Sequence, residues 1–186
     1  MTPLETRLID LLQGDAWRMD AMRAVHRLGL PDCWTGAGFI RSFVWDRLDG
    51  LPPLTPEDVD VIYFDPADIS EESEKQHDAR LGALMPDVPW SCKNQTRMHL
   101  KAGLQKPYAD TGDGLRHWTE TATAVAARVN DAGAIEILAP FGLDDLFDKI
   151  VRPTPFFKGG RMAQYRARLA AKKWQQRWPS LVFIED

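Results

Sequence analysis

At 186 residues and 44% hydrophobic, the chain is long enough for one compact domain with a sizeable core, and no apolar run approaches the roughly 18 residues of a membrane span. A net charge of −4 excludes a general nucleic-acid binder held by overall charge. Cys33 and Cys92 stand far apart without metal-type spacing, and no basic-then-apolar leader opens the chain. A reduced, cytoplasmic protein with no membrane contact is therefore expected.

The first 30 residues read as helical scaffold. Thr2, Pro3 and Glu5 form a helix start with a capping box, and Leu4, Leu8, Leu11 and Leu12 share one face. Gly14 ends that helix. Asp15 caps the next, which buries Trp17, Ala21, Ala24, Val25 and Leu28 and stops at Gly29. A short strand at 33–35 leads into a glycine turn and a helix over 39–48. Residues 58–64 are the most strand-like run in the chain, closed by Pro66. Ser70 caps a polar surface helix with acids in its first turn. A second strand is expected at 90–93, helical segments around Trp118 and the following alanine-rich run, and a third strand at 134–138. A short helix near 144–147 and an extended piece from Val151 follow.

The last helix is expected over 160–178, with Ala163, Ala167, Ala170, Trp174 and Trp178 inward. Residues 149–178 hold nine cations and no acid, so the rest of the chain is strongly acidic. That asymmetry implies an anionic ligand or an internal charge match. Strands and helices mix without strict alternation. The expected fold is α+β, a small mixed β-sheet flanked by helices, in a single domain over 1–186.

Two stretches carry the chemistry. Gly36-Ala37-Gly38 opens the 39–48 helix, where outward N–H groups can cradle a phosphate. Arg41 stands where a dinucleotide fingerprint needs Gly or Ala, so that fold is rejected. Asp58 and Asp60 alternate on a strand and share one face, where a divalent cation would relieve their repulsion. Ser42 follows the turn. Asn94 and Arg97 are further candidates for substrate binding, Arg97 because a guanidinium matches phosphate oxygens bidentately. The four histidines have no zinc spacing, and no serine has a nucleophile-elbow setting.

These residues resemble the nucleotidyltransferase superfamily of DNA polymerase β and the tRNA CCA-adding enzymes. Gly36 to Ser42 looks like the glycine-pair and Arg element of the latter, and Asp58-Val59-Asp60-Val61 like their paired-carboxylate strand. More closely, the chain resembles a family of small bacterial nucleotidyltransferase-like proteins. That likeness is carried by Gly36 to Arg41, Asp58 to Asp65, Lys93 to His99, Glu120 to Val125, Pro140 to Phe147 and Val151 to Pro153. The resemblance implies an NTP donor, two Mg²⁺ ions, metal ligation by Asp58 and Asp60 and a phosphate cradle at Gly36 to Gly38.

The expected function is metal-dependent (Mg²⁺ or Mn²⁺) transfer of a nucleoside monophosphate from an NTP to a hydroxyl of unnamed class: small molecule, RNA or protein. The superfamily usually has a third carboxylate on a neighbouring strand, and Trp90-Ser91-Cys92-Lys93 contains none. Glu120, Glu136, Asp144 and Asp145 could complete the site. Glu136 is preferred, mid-strand between two isoleucines and expected within about 6 Å of the aspartates. The alternatives are a nucleotide- or RNA-binding protein on the same fold with little catalysis, and an interaction domain with solvated aspartates.

Overall fold

The computed structural model describes residues 1–185. Helix α1 (Pro3–Gln13) begins at the capping box: Thr2 Oγ1 accepts from the Glu5 N–H at 3.2 Å, and the Thr2 N–H donates to Glu5 at 2.6 Å. Helix α2 (Ala16–His26) is capped by Asp15. Leu8, Leu12, Ala21 and Met22 bury against α3 (Gly38–Leu48) through Phe39, Ile40 and Phe43.

Five strands form the main sheet: β1 (Trp34–Gly36), β2 (Val59–Tyr63), β3 (Trp90–Asn94), β4 (Ala126–Val129) and β5 (Ile135–Leu138). Their spatial order is β3-β2-β1-β4-β5, with β2 and β3 parallel and the other pairs antiparallel. The parallel pair needs a crossover, and α4 (Glu71–Leu84) provides it. The fold is therefore α+β with a mixed sheet, as expected from sequence.

Strand alternation divides the faces. Val61 and Tyr63 point to α2 and α4, packing on Val25, Leu28 and Leu81. Ile62 points the other way, with Trp34, Ala126 and Leu115 of α6 (Thr111–Arg116). Asp60 shares that second face. Its lateral neighbours are Ser91 and Gly36, followed by Ala126 and Leu138, so one row of the sheet carries a carboxylate between small residues.

After β3 comes α5 (Gln95–Lys101). After β5 come α7 (Asp144–Phe147) and β6 (Ile150–Val151), which pairs in parallel with β7 (Val182–Phe183). No helix among the described residues is long and apolar enough to cross a membrane.

Two sequence expectations need correction. The alanine-rich run is not helical: residues 121–125 form turns and Ala126–Val129 is β4, bonded on both edges. Alanine's helix preference is worth only tenths of a kcal/mol per residue, and two ladders outweigh it. The last helix, α8, runs Met162–Lys172 and breaks at Lys173, which is left-handed (φ 50°, ψ 34°). Ala163, Ala167 and Ala170 are exposed, and the buried residue of α8 is Tyr165. Its hydroxyl lies 2.9 Å from the Val151 carbonyl and 2.8 Å from that of Ile184. The break turns Trp174 and Trp178 onto Trp45, with ring centroids at 5.7 and 5.2 Å. Three packed indoles fix the direction of the segment where small alanines cannot.

Candidate functional site

Asp60 sits on β2 half-buried, and Asp58 stands exposed one residue before the strand. Among the described residues neither has a hydrogen-bond or ion-pair partner. Burial pushes the Asp60 carboxyl up to about 6, and the charge of Asp58 adds to this. Arg41, Arg168 and Lys93 pull it down without cancelling the rise. The pair is thus short of positive charge.

The turn from β1 to α3 lies beside it. Gly36 is required by packing: a Cβ there would stand 3.1 Å from the Val125 carbonyl and 3.3 Å from both the Trp118 ring and the Ala126 Cβ. Ala37 has φ 55° and ψ −129°, a conformation that favours glycine and costs an L-residue about 1–3 kcal/mol. The α3 N-terminus carries no side-chain cap, whereas α1, α2, α4, α5 and α6 all have one. A Cβ at Gly38 would meet only Arg41 Nη2 at 3.6 Å and Ser42 Oγ at 3.8 Å, ordinary contacts. Packing leaves the space before the turn open, so the first N–H groups of α3 can receive an anion there.

Arg41 is buried. Its Nη1 donates to Thr123 Oγ1 at 2.8 Å, its guanidinium lies 4.2 Å from the Trp174 ring centroid, and its Nε has no partner. Burial lowers it to about 10, opposed chiefly by Glu120, so it remains charged at neutral pH. Glu120 is itself buried. One oxygen accepts from Arg168 Nε at 2.7 Å, and the other has no partner.

Two clefts meet at the carboxylates. The larger, about 630 Å³, is lined by Asp60, Ile62 and Lys93 with Arg161 and Arg168. One wall is aromatic: His117 stacks on Tyr108 at 4.6 Å and meets the edge of Phe156 at 4.6 Å. The other cleft, about 390 Å³, is lined by Gly38, Arg41, Ser42, Asp58, Lys172, Lys173 and Trp174. Both volumes suit a nucleotide-sized ligand. A third cavity, about 340 Å³, lies on the opposite sheet face between α2 and β4, away from the aspartates.

The structure thus brings together Gly36, Gly38, Arg41, Ser42, Asp58 and Asp60. It does not bring Asn94 or Arg97 to them. Asn94 caps α5, accepting from the Thr96 and Asp65 N–H groups at 3.1 Å and donating to the Asp65 carbonyl at 2.7 Å. Arg97 grips Glu74 at 2.9 and 2.7 Å and Glu71 at 2.8 Å, so its fork is already filled by carboxylates. Both candidates for substrate binding, Arg97 through phosphate, are thus engaged within the fold.

Glu136 is corrected too. It sits on outer strand β5, three strands from β2 and therefore about 14 Å away, bonded to Arg128 and Asn130 at 2.8 Å each. Among the described residues no three His, Cys, Asp or Glu side chains group closely enough to hold a metal ion.

Sequence reasoning did not single out Lys93, Arg168 or the aromatic wall. Lys93 could have been found by alternation, being two residues from Ser91, which pairs with Asp60. The wall draws on three separate segments and leaves no local pattern.

A sequence profile described as nucleotidyltransferase matches residues 23–183. An NMR structure reported to reveal a CCA-adding enzyme head domain is 33% identical, covers 96% of this chain and 95% of that one, and superimposes with a TM-score of 0.86. A CCA-adding enzyme in complex with CTP is 15% identical with a TM-score of 0.59, matching 94% of this chain and 42% of that one. The Thermotoga maritima CCA-adding enzyme in complex with tRNA is 14% identical with a TM-score of 0.55, matching 99% and 40%. At those identities the last two likenesses are of fold, and the chain spans about two fifths of both enzymes. No curated protein matches the chain.

Proposed function

The chain belongs to this nucleotidyltransferase family, and from that premise we propose that it moves a nucleoside monophosphate from an NTP to a hydroxyl acceptor, with Mg²⁺ or Mn²⁺ held by Asp58 and Asp60. The observation that carries the reading is the carboxylate pair, without partners among the described residues, at the junction of two basic clefts. Two bare carboxylates short of positive charge are a donor set that a hard divalent cation fits. A bound ion supplies charge stabilisation at the transferring and leaving oxygens.

The remaining work falls to the chain's own residues. The uncapped N–H groups at Gly38 and the Ser42 hydroxyl receive donor phosphates. Arg41, fixed by Thr123 and Trp174, places a permanent cation beside them. Lys173 and, 3.9 Å from exposed Glu57, Lys172 add positive charge along the same cleft, where a triphosphate tail needs it. The aromatic cleft on the Asp60 side is left for a planar part of donor or acceptor. Cys33 and Cys92 are both unbonded, in keeping with a proposed cytoplasmic location.

The test is a thermal-shift screen of the four NTPs with and without Mg²⁺, followed by pyrophosphate release. CTP and tRNA come first, being the ligands in the complexes of the similar enzymes. Mg²⁺-dependent stabilisation that disappears in Asp58→Asn with Asp60→Asn is expected, and undiminished binding in that double variant would sink the reading. A second reading, nucleotide or RNA binding without turnover, is favoured by the sheet row that carries no other acid. Binding without any pyrophosphate release across acceptors would select it.

A further inference from the structure

We propose that the aromatic cleft beside Asp60 takes a small, planar, anionic acceptor, a nucleoside monophosphate, whose phosphate is anchored by Arg161 and Lys101. The inference rests on the nucleotidyl-transfer reading and names the acceptor class which that reading leaves open. Asp58 lines the cleft that holds Gly38, Arg41 and Ser42, where donor phosphates are received, and Asp60 lines the other. Attacking and leaving oxygens stand roughly in line, so a hydroxyl comes from the side away from the leaving group. Its oxygen bonds to the α-phosphorus, and the α–β anhydride bond breaks with its electron pair on the pyrophosphate. The hydroxyl proton passes to water.

The lining of the Asp60 cleft describes what it receives. Tyr108 and His117 stack at 4.6 Å, Phe156 meets His117 edge-on at 4.6 Å, and Phe157 meets Phe156 at 5.5 Å. These rings brace one another into a fixed apolar wall of the kind a nucleobase packs on. Among the described residues, Asp60 is the single acid lining the cleft, against four cations. Two of those are already engaged, Lys93 by Glu74 and Arg168 by Glu120. Lys101 and Arg161 have no acidic partner among the described residues.

Arg161 is nonetheless held in place. Its guanidinium lies 4.1 Å from the Phe156 ring centroid, and Nη2 donates to the carbonyl of Ala102, next to Lys101 at the end of α5, at 3.4 Å. Arg161, Gln164 and Arg168 recur at helical spacing, so one side of α8 faces the cleft. A positioned guanidinium beside an aromatic wall, without a counter-charge, fits a phosphate carried on a ring. The cleft of about 630 Å³ suits one nucleotide. The bond from Arg161 to Ala102 ties its two walls together, and a polynucleotide threaded between them would have to part it. The ribose hydroxyls lie away from the 5′-phosphate, so a phosphate at Arg161 leaves a hydroxyl to face Asp60.

The test titrates the four nucleoside 5′-monophosphates into the full chain by calorimetry, without metal, beside their nucleosides, inorganic phosphate and an RNA of about ten nucleotides. At least one monophosphate should bind about tenfold more tightly than its nucleoside and than phosphate. Arg161→Met should lose about that tenfold on the monophosphate and leave the nucleoside unchanged. Lys101→Met, at an exposed position, repeats the test if Arg161→Met does not fold. Gly38→Val, in the other cleft, should bind the monophosphate as wild type does. With NTP and Mg²⁺ the same monophosphate should raise pyrophosphate release, and its 2′,3′-dideoxy form should bind without raising it. No monophosphate binding, wild-type affinity in folded Arg161→Met, tighter binding of the RNA, or release that no monophosphate raises would overturn the proposal. Failure of the premise looks different. Mg²⁺-dependent NTP binding with no response to monophosphates removes the acceptor assignment alone. Monophosphate binding in a chain without Mg²⁺-dependent NTP binding removes the transfer reading, and the acceptor role with it.

Discussion

Asp46 and Asp60 are aspartates in neighbouring parts of the molecule with opposite surroundings. Asp46, 1% exposed on α3, is satisfied at every turn: Arg177 Nε at 2.8 Å, the Trp178 indole N–H at 2.9 Å and the Leu54 N–H at 3.2 Å. Asp60 is less buried yet has no partner among the described residues, and the neighbouring charge of Asp58 works against its own. A carboxylate that holds the fold together is matched by the fold. One left unmatched at a cleft floor is paired by something that arrives from outside.

The largest effect should come from breaking the matched site. Asp46→Ala strands a guanidinium, an indole N–H and a backbone N–H, and is expected to destabilise by about 3–5 kcal/mol in urea unfolding. Asp60→Asn should do the reverse. Folding raises the Asp60 carboxyl from its ordinary 3.8 to about 6, so its stabilisation is complete below about pH 4 and is lost as pH rises through 6. The apo variant should therefore be more stable than wild type at pH 7–8 by about 1–3 kcal/mol, with no difference near pH 4. Equal melting temperatures at pH 8 would refute the unmatched charge.

The smallest effect sharpens the same contrast in backbone. Gly36→Ala should lose about 1–3 kcal/mol, because its Cβ would press on the Val125 carbonyl and Ala126. Gly38→Ala should stay within about 1 kcal/mol in chemical denaturation. Gly38→Val should weaken NTP affinity more than it lowers stability. A folded Gly38→Val chain that binds NTP normally would make the turn merely structural.

The sequence revealed what is local. The Thr2 and Asp15 caps and the glycine turn each lie within a few residues and hold in the structure, whereas of the two aspartates expected on one strand only Asp60 lies on β2 and Asp58 stands one residue before it. What it hid is lateral. Glu136 looked suitable because it sits mid-strand, but strand order places β4 and β1 between it and the aspartates. Arg97 looked free because Glu71 and Glu74 lie a crossover away in sequence, and only the parallel pairing of β2 with β3 brings α4 over it. The alanine periodicity of α8 was genuine but decisive for nothing, since the segment is oriented by tryptophans beyond a left-handed break.

That break also bears on the order in which the protein is made. Asp58, Asp60 and the α3 turn all lie in the first third of the chain, whereas Arg168, Lys172, Lys173 and Trp174 come near its end. Trp174 lies under Arg41, and Arg168 holds Glu120. A nascent chain that has emerged only as far as β5 contains its aspartates but lacks the C-terminal wall of the second cleft and the indole beneath Arg41. The site closes last, so an unfinished chain carries the carboxylates without the pocket that would use them.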